Sequence, residues 1–341
     1  METIIAKHQK PDGGNAILIL ILAGMCFYTC SRQAPEEKSS VNTESRPFMV
    51  IGYLPGSSVD TASVDFHRLT HINFSFAIPA KAGGGLAALR NSDKLIGLVR
   101  KAHENNVKVF ISIGGWGIGD GGGEDSRFHE LAETAEERSL FIAKTMKLVR
   151  DYNLDGVDLD WEYPDIENRS AEDYVLLMSE LADSLHAKDL ELTAAVVHYG
   201  NQGRGIKNEI FDIVDWLNLM AYDDDHGLPI PHSPYSLAEK SINYWVHERG
   251  LPPEKAVLGL PFYGKPRREG LSHYKDLIAA GADAQADAFD SVYYNGMNTI
   301  KSKTQLAMEE KLAGVMIWQI AQDTHDEYSL LKVINETAGR E

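Results

Sequence analysis

The chemistry-bearing residues of this chain concentrate in one short run, Asp155-Gly156-Val157-Asp158-Leu159-Asp160-Trp161-Glu162-Tyr163-Pro164. Side chains alternate faces along a strand, so Asp158, Asp160 and Glu162 share one side while Val157, Leu159 and Trp161 share the other. Carboxyls packed together and removed from water cannot all ionise, because repulsion and desolvation both raise their pKa values. At least one proton is therefore retained near neutrality. A strand built for stability alone would carry apolar residues on that face. The arrangement points instead to a general acid that works where free glutamic acid is already ionised. A calcium loop also alternates acids, but it needs a glycine at its turn and no interleaved Val, Leu and Trp. A solvated edge strand is the remaining alternative, with Trp161 turned into the core.

Such a strand needs a frame that buries it on both faces. From Pro47 onward, short apolar runs rich in β-branched residues recur between amphipathic segments, the pattern of a parallel sheet covered by helices. The runs are 49–55, 71–77, 107–115, 156–162, 191–197, 216–222, 256–262 and 313–319. Helical periodicity occupies 93–105, 135–152, 171–186, 236–249, 301–312 and 328–337, and the connections through 64–68 and 209–214 look short or irregular. Eight β/α units in one segment predict an α/β fold, a single-domain (β/α)8 TIM barrel. The acidic face is then the barrel interior, and Glu162 sits at the C-terminal rim where barrels keep their active sites. A doubly wound open sheet is the alternative. It would carry a Gly-rich phosphate loop after its first strand, and Gly52-Tyr53-Leu54-Pro55-Gly56 does not match one.

With these residues in place, the chain resembles glycoside hydrolase family 18, the chitinase family. Its signature D-x-x-D-x-D-x-E on the fourth barrel strand is filled by Asp155, Asp158, Asp160 and Glu162. The family's S-x-G-G on the third strand is matched by Ser112-Ile113-Gly114-Gly115, followed by Trp116. Its M-x-Y-D on the sixth is matched by Met220-Ala221-Tyr222-Asp223, and the tryptophan of the eighth by Trp318. Gly259-Leu260-Pro261-Phe262-Tyr263-Gly264 resembles the seventh strand, so the likeness runs from about Met49 to the C-terminus.

The resemblance implies hydrolysis of β-1,4-linked N-acetylglucosamine polymers, chitin or chitooligosaccharides, by a retaining mechanism in which the substrate's own acetamido oxygen is the nucleophile. Glu162 would protonate the glycosidic oxygen and later deprotonate water. Asp160 would bind the acetamido N–H and stabilise the oxazolinium intermediate, Asp158 would share a proton with Asp160, and Asp155 would be structural. Tyr222 would donate to the acetamido carbonyl, Asp223 would help hold the distorted sugar, and Trp318 would floor the ring, core packing being its alternative. Tyr53, Phe74 and Trp116, at the ends of early strands, are candidate walls or simply core. Met220, Gly115 and Tyr163 complete the expected substrate-binding set.

Within the family, an endo-β-N-acetylglucosaminidase acting on N-glycan chitobiose cores is the alternative; Trp161 before the glutamate looks more like the chitinases. A non-catalytic chitinase-like lectin is the alternative of another class, and the presence of Glu162 counts against it. Residues 265–299 look too few for the family's full α+β insertion domain, which predicts an open cleft and internal cleavage. No cofactor and no metal is expected. His198, His226 and His232 lack metal-ligand spacing and read as solvated loop residues.

Composition sets the partners. A formal charge of −17, from 33 basic and 50 acidic residues, disfavours nucleic acid and anionic membrane surfaces and suits a neutral saccharide. At the N-terminus, Lys7 and Lys10 precede an apolar run over 16–28, short for a bilayer span and suited to a signal peptide. The only cysteines, Cys26 and Cys30, end that run before a polar segment, a layout resembling a bacterial lipoprotein signal. Ser31 and the charged residues after it favour Cys30 as the lipidated residue, with Cys26 or simple secretion as alternatives. The expected organisation is a signal peptide over 1–30, a polar tether over 31–46 and a catalytic barrel over 47–341. The protein would be an exported monomer at the cell surface or in the periplasm, with no disulfide in its folded domain.

Overall fold

All eight apolar runs become strands of one closed barrel. The computed structural model describes residues 47–81, 85–119, 124–266 and 270–340. The expected signal segment with Cys30 and the tether lie outside the described residues. The first seven barrel strands are β1 (Met49–Pro55), β2 (His71–Ala77), β3 (Lys108–Gly114), β4 (Gly156–Asp160), β5 (Glu191–Val197), β6 (Trp216–Met220) and β7 (Ala256–Pro261). Four short strands follow, β8 (Tyr263–Pro266), β9 (Ser272–His273), β10 (Ala288–Phe289) and β11 (Val292–Tyr293), before the eighth barrel strand, β12 (Gly314–Trp318). The barrel closes in the order β1-β12-β7-β6-β5-β4-β3-β2, with every neighbouring pair parallel. The expected fold is thus the observed one, except that β4 and β6 stop two residues before the ends of their apolar runs.

Each strand is buried on both sides, which is why its sequence reads as a nearly unbroken apolar run. Outward residues such as Val50, Ile72, Ile111, Leu159 and Leu258 belong to a large core between the wall and the helices. Inward residues form a second cluster, in which Met49, Ile51, Tyr53, Phe110, Trp216 and Met316 fill the barrel. Phe110 and Trp216 stack at 5.6 Å, and the His71 ring meets both edge-on, so the barrel is plugged below the acidic strand.

The helices are α1 (Ser92–Glu104), α2 (Trp116–Gly119), α3 (Ser126–Glu133), α4 (Ala135–Tyr152), α5 (Ser170–His186), α6 (Ile210–Ile213), α7 (Tyr235–Ile242), α8 (Tyr274–Ala279), α9 (Met297–Glu309) and α10 (Leu330–Thr337). α4 shows why the sequence marks its start so plainly: Thr134 Oγ1 accepts the Glu137 N–H, and Glu136 and Glu137 face the positive end of the helix dipole. One helix differs from expectation. The run 236–249 is an α-helix only to Ile242, then widens into a π-helical stretch, Asn243–Glu248, that buries Trp245 with its indole N–H on the Val197 carbonyl at 2.9 Å. The segment after β7, read as too few residues for a full insertion domain, folds into a small antiparallel sheet, β10-β11-β8-β9, with α8 beside it. Three of these strands are two residues long, too short for alternation to register.

Candidate active site

Strand register assembles the centre of the site. Ser112 and Gly114 of β3 lie beside Asp158 and Asp160, and Thr193 of β5 flanks Asp158 from the other side. Asp158 is fully buried. Its Oδ2 accepts the Tyr53 hydroxyl at 2.7 Å and the Ser112 hydroxyl at 2.8 Å. Its Oδ1 accepts the Thr193 hydroxyl at 2.7 Å and the Asn218 amide at 3.0 Å, and Asn218 is itself oriented by the Trp216 indole N–H at 3.2 Å. Burial raises the Asp158 pKa, and these four donors work against the rise.

Asp160 lies one layer higher, and its Oδ1 is buried with no hydrogen-bond partner. Burial first, then the charges of Glu162 and Asp158, lift its carboxyl far above the usual range. Neutral donors fill the acceptor positions of Asp158, whereas Asp160 Oδ1 meets none, and the two carboxyls act on each other through charge.

Past Asp160 the ladder stops but the alternation continues. Trp161 turns outward, stacks on Phe128 at 5.2 Å and donates its indole N–H to Asp125 at 2.8 Å. That returns Glu162 to the inner side, where it lines a cavity of about 740 Å³ at the C-terminal mouth of the barrel. Asp160, Tyr53, Trp116, Tyr163, Met220, Tyr222, Asp223 and Trp318 line the same cavity, so most of the sequence-predicted set converges. Burial raises Glu162 to about 7; the Asp223 charge adds to this, and the Tyr163 hydroxyl opposes it. A glutamic acid in that range can still carry a proton at neutral pH.

Asp223 sits in left-handed backbone conformation with φ 64°. Its Oδ1 accepts the Tyr263 hydroxyl at 2.7 Å and faces His232 Nδ1 at 3.1 Å and the Lys265 ammonium at 3.4 Å. Partial burial works upward on its pKa, but the His232 bond and charge, Lys265 and Tyr263 outweigh it and hold Asp223 below the ordinary value. The three carboxyls of the cavity are thus shifted in different directions: Asp223 is held below its ordinary value, burial raises Glu162 to about 7, and burial with the neighbouring charges lifts Asp160 well above its own. Of the histidines expected to be solvated, only His226 is, with 74% of its side chain exposed. His232 is buried against Asp223, and His198 forms part of the cavity wall.

One wall of the cavity is aromatic. The Trp318 indole stacks on Phe76 at 5.6 Å with the planes 24° apart and meets Tyr53 edge-on at 5.7 Å; Trp116 stands exposed at the rim. Phe74 is not part of this wall. It points with Ile72 to the helix side of β2, packed against Gly56, because Asn73 and Ser75 take the inward positions. Phe76 occupies the wall instead.

Gly115 does not line the cavity either, but it sets its depth. A Cβ there would stand 2.7 Å from the Phe76 ring, and one on Gly114 would stand 2.1 Å from the Asp160 carbonyl oxygen. Both glycines also have positive φ, so the pair is required by space and by conformation. Among residues the motifs did not single out, Thr193 and Asn218 carried a signal, as polar residues inside strands that are otherwise apolar. Among the described residues no group of three or more His, Cys, Asp or Glu side chains could hold a metal ion.

Comparison with known proteins agrees with this geometry. The profile of Glycosyl hydrolases family 18 matches residues 49–323. A Drosophila melanogaster protein named Probable chitinase 2 is 27% identical over 311 aligned residues, which cover 72% of this chain and 61% of that one. The chitinase ChiB from the chitin utilization locus of Flavobacterium johnsoniae superposes with a TM-score of 0.77 at 32% identity, covering 86% of this chain and 94% of that one. A chitinase from Bacteroides thetaiotaomicron superposes with a TM-score of 0.76 at 28% identity, covering 86% and 97% of the two chains.

Proposed function

The chain belongs to glycoside hydrolase family 18, and from that premise we propose that it hydrolyses β-1,4-linked N-acetylglucosamine polymers, chitin or its oligomers, with the substrate's acetamido group as nucleophile. One observation carries the reading: Asp160, with a buried oxygen that no protein donor satisfies and a carboxyl that burial pushes well above its ordinary value, lines the same cavity as the acid Glu162. An acetamido N–H supplies the partner that oxygen lacks. As the oxazolinium cation forms, its positive charge favours the ionised form of Asp160, whose proton passes to the neighbouring Asp158, so the interaction strengthens toward the transition state.

Glu162 gives its proton to the departing glycosidic oxygen and then takes one from the water that opens the oxazolinium ring. Tyr222 donates to the acetamido carbonyl, and Asp223, held by Tyr263 and His232, grips the distorted sugar. Trp318, backed by Phe76, supplies an apolar face for the ring. The apolar run ending at Cys30 supports export, with lipid on Cys30; labelling with a radioactive fatty acid should mark the wild type and not C30S.

The test is product analysis of the purified protein given N-acetylglucosamine oligomers, deacetylated oligomers and an N-glycoprotein in parallel. Cleavage of the acetylated oligomers alone is expected. Glycan release from the glycoprotein would move the substrate to N-glycan cores, and binding without products would make the protein a lectin.

A further inference from the structure

α9 carries a lysine with no solvent exposure, Lys303. Its ammonium donates to the Ser233 carbonyl at 2.7 Å, the Ser233 hydroxyl at 2.8 Å and the Asn295 side-chain oxygen at 2.7 Å. None of these acceptors is charged. Burial pushes Lys303 down to about 7, with the Asp287 charge acting the other way. An ammonium buried among neutral acceptors is a costly way to fill a core position that an apolar side chain of similar size would fill freely. What its bonds hold together gives a better account.

The Ser233 hydroxyl donates to the Ala221 carbonyl at 2.6 Å. Next to it, the His232 carbonyl accepts the Asp224 N–H at 3.0 Å, and His232 Nδ1 meets Asp223 at 3.1 Å. Ala221 and Asp224 flank Tyr222 and Asp223. That dipeptide is therefore clipped at both ends to two consecutive residues, His232 and Ser233. The chain between clip and dipeptide is a loop held on the dipeptide side by buried Asp225, which accepts the Lys265 ammonium at 2.7 Å, but whose far side, with Leu228 and Ile230 57% and 45% exposed, gives the clip little packing of its own. Lys303 can, because it projects from a helix seated against α7 and α10, and Asn295 joins it by donating to the Ser233 carbonyl at 2.8 Å.

We propose that Lys303 is a positioning residue which, through Ser233 and His232, fixes Tyr222 and Asp223 for the N-acetyl sugar. It touches neither substrate nor reacting atoms, and the assignment rests on the hydrolase reading above. Lys255 provides a control. It bonds the Phe211 and Val214 carbonyls at 2.7 and 2.8 Å, near the N-terminal ends of β6 and β7 and away from the cavity mouth.

The experiment measures kcat, KM, Tm and affinity for an oxazolinium-mimicking inhibitor in the wild type, K303M, S233A and K255M, using N-acetylglucosamine oligomers as substrate. K303M should lower kcat about tenfold or more with KM moved less than about twofold, and inhibitor affinity should fall with kcat. S233A removes the Ala221 bond and should reproduce part of the loss, which keeps the question open to test if K303M does not fold. K255M should lower Tm and leave kcat alone. Wild-type kcat in both K303M and S233A, or an equal kcat loss in K255M, would overturn the proposal. If the wild type bound oligomers without cutting them, the hydrolase reading would fall by itself. The brace would then be judged on affinity, which K303M should lower about tenfold if the brace is real and leave unchanged if it is not.

Discussion

The Tyr263 hydroxyl donates to Asp223 Oδ1 over 2.7 Å, tying the first residue of the added sheet to the carboxylate whose charge raises Glu162. The acid is thus tuned by a neighbour that is itself held ionised. Replacing that neighbour should shift the pH profile in a defined direction. Glu162 must be protonated to act as an acid, so activity falls as pH rises through its pKa. D223N removes a nearby negative charge and lowers that pKa, which moves the alkaline limb of kcat/KM to lower pH by roughly half a unit. A pH–rate profile of D223N, read at whatever activity survives the loss of a sugar contact, checks the shift; an unmoved or alkaline-shifted limb would remove Asp223 from the tuning of Glu162.

E162Q should abolish hydrolysis, by about 10³-fold or more, while oligosaccharide binding persists. The same substitution should stabilise the fold above acidic pH. Glu162 is raised in the folded state to about 7 from an ordinary 4.5, so the stability it contributes is complete below 4.5 and is lost as pH rises through about 7. Glutamine has nothing to lose. E162Q and wild type should melt together at pH 4 and separate by roughly 2–5 °C at pH 8, allowing about 2 kcal/mol for a carboxyl that keeps some contact with water. Thermal melts across that range decide it.

The two phenylalanines of β2 should separate wall from core. F74A empties a site in the helix-facing core and should cost about 3–5 kcal/mol of stability with KM unchanged in the folded fraction. F76A removes the ring behind Trp318 and should raise KM severalfold while Tm moves little. Steady-state kinetics and thermal melts on both variants test the assignment, and the reverse pattern would put Phe74 back in the cleft.

The same pair shows what was legible in the sequence and what was not. The barrel was, because eight strands buried on both faces leave long apolar runs and the helices between them repeat at their own period. The acidic triad was, because alternation forces Asp158, Asp160 and Glu162 to one side, and it survives even though β4 ends at Asp160. Phe74 was misplaced because regular alternation turns it, with Ile72, to the helix side; a register shift between Ser75 and Ala77, invisible in the sequence, brings Phe76 to the wall instead. His232, Lys265 and Tyr263 gather around Asp223 from a loop and a small sheet whose strands are too short to show a period. Lys303 left no signal, since a lysine in an amphipathic helix reads as solvent-facing until its burial is seen.

Asp155, the first acid of the signature, should behave unlike the others. Its Oδ2 accepts the Val109 N–H at 2.7 Å and pairs with His103 at 2.8 Å, fastening β3 and α1 to the base of β4. It reaches no part of the cavity. D155N should therefore lower stability by about 1–2 kcal/mol and leave kcat of the folded enzyme intact. A large kcat loss at unchanged Tm would give Asp155 a role in the chemistry.

Asp160 is where substrate assistance stands or falls. Its unpartnered oxygen and retained proton cost stability in the free protein, so D160N, which needs no proton, should raise Tm at neutral pH. The amide keeps an oxygen that can accept the acetamido N–H, but it carries no charge to set against the oxazolinium. The loss should therefore fall on kcat, by about 10²-fold, with KM nearly unchanged. Deacetylated oligomers, which lack the nucleophile, should be uncut by wild type and variant alike. Cleavage of deacetylated oligomers at the rate of acetylated ones would mean that Asp160 is not serving an acetamido group, and the carboxyl pair would have to be read as an ordinary acid and nucleophile.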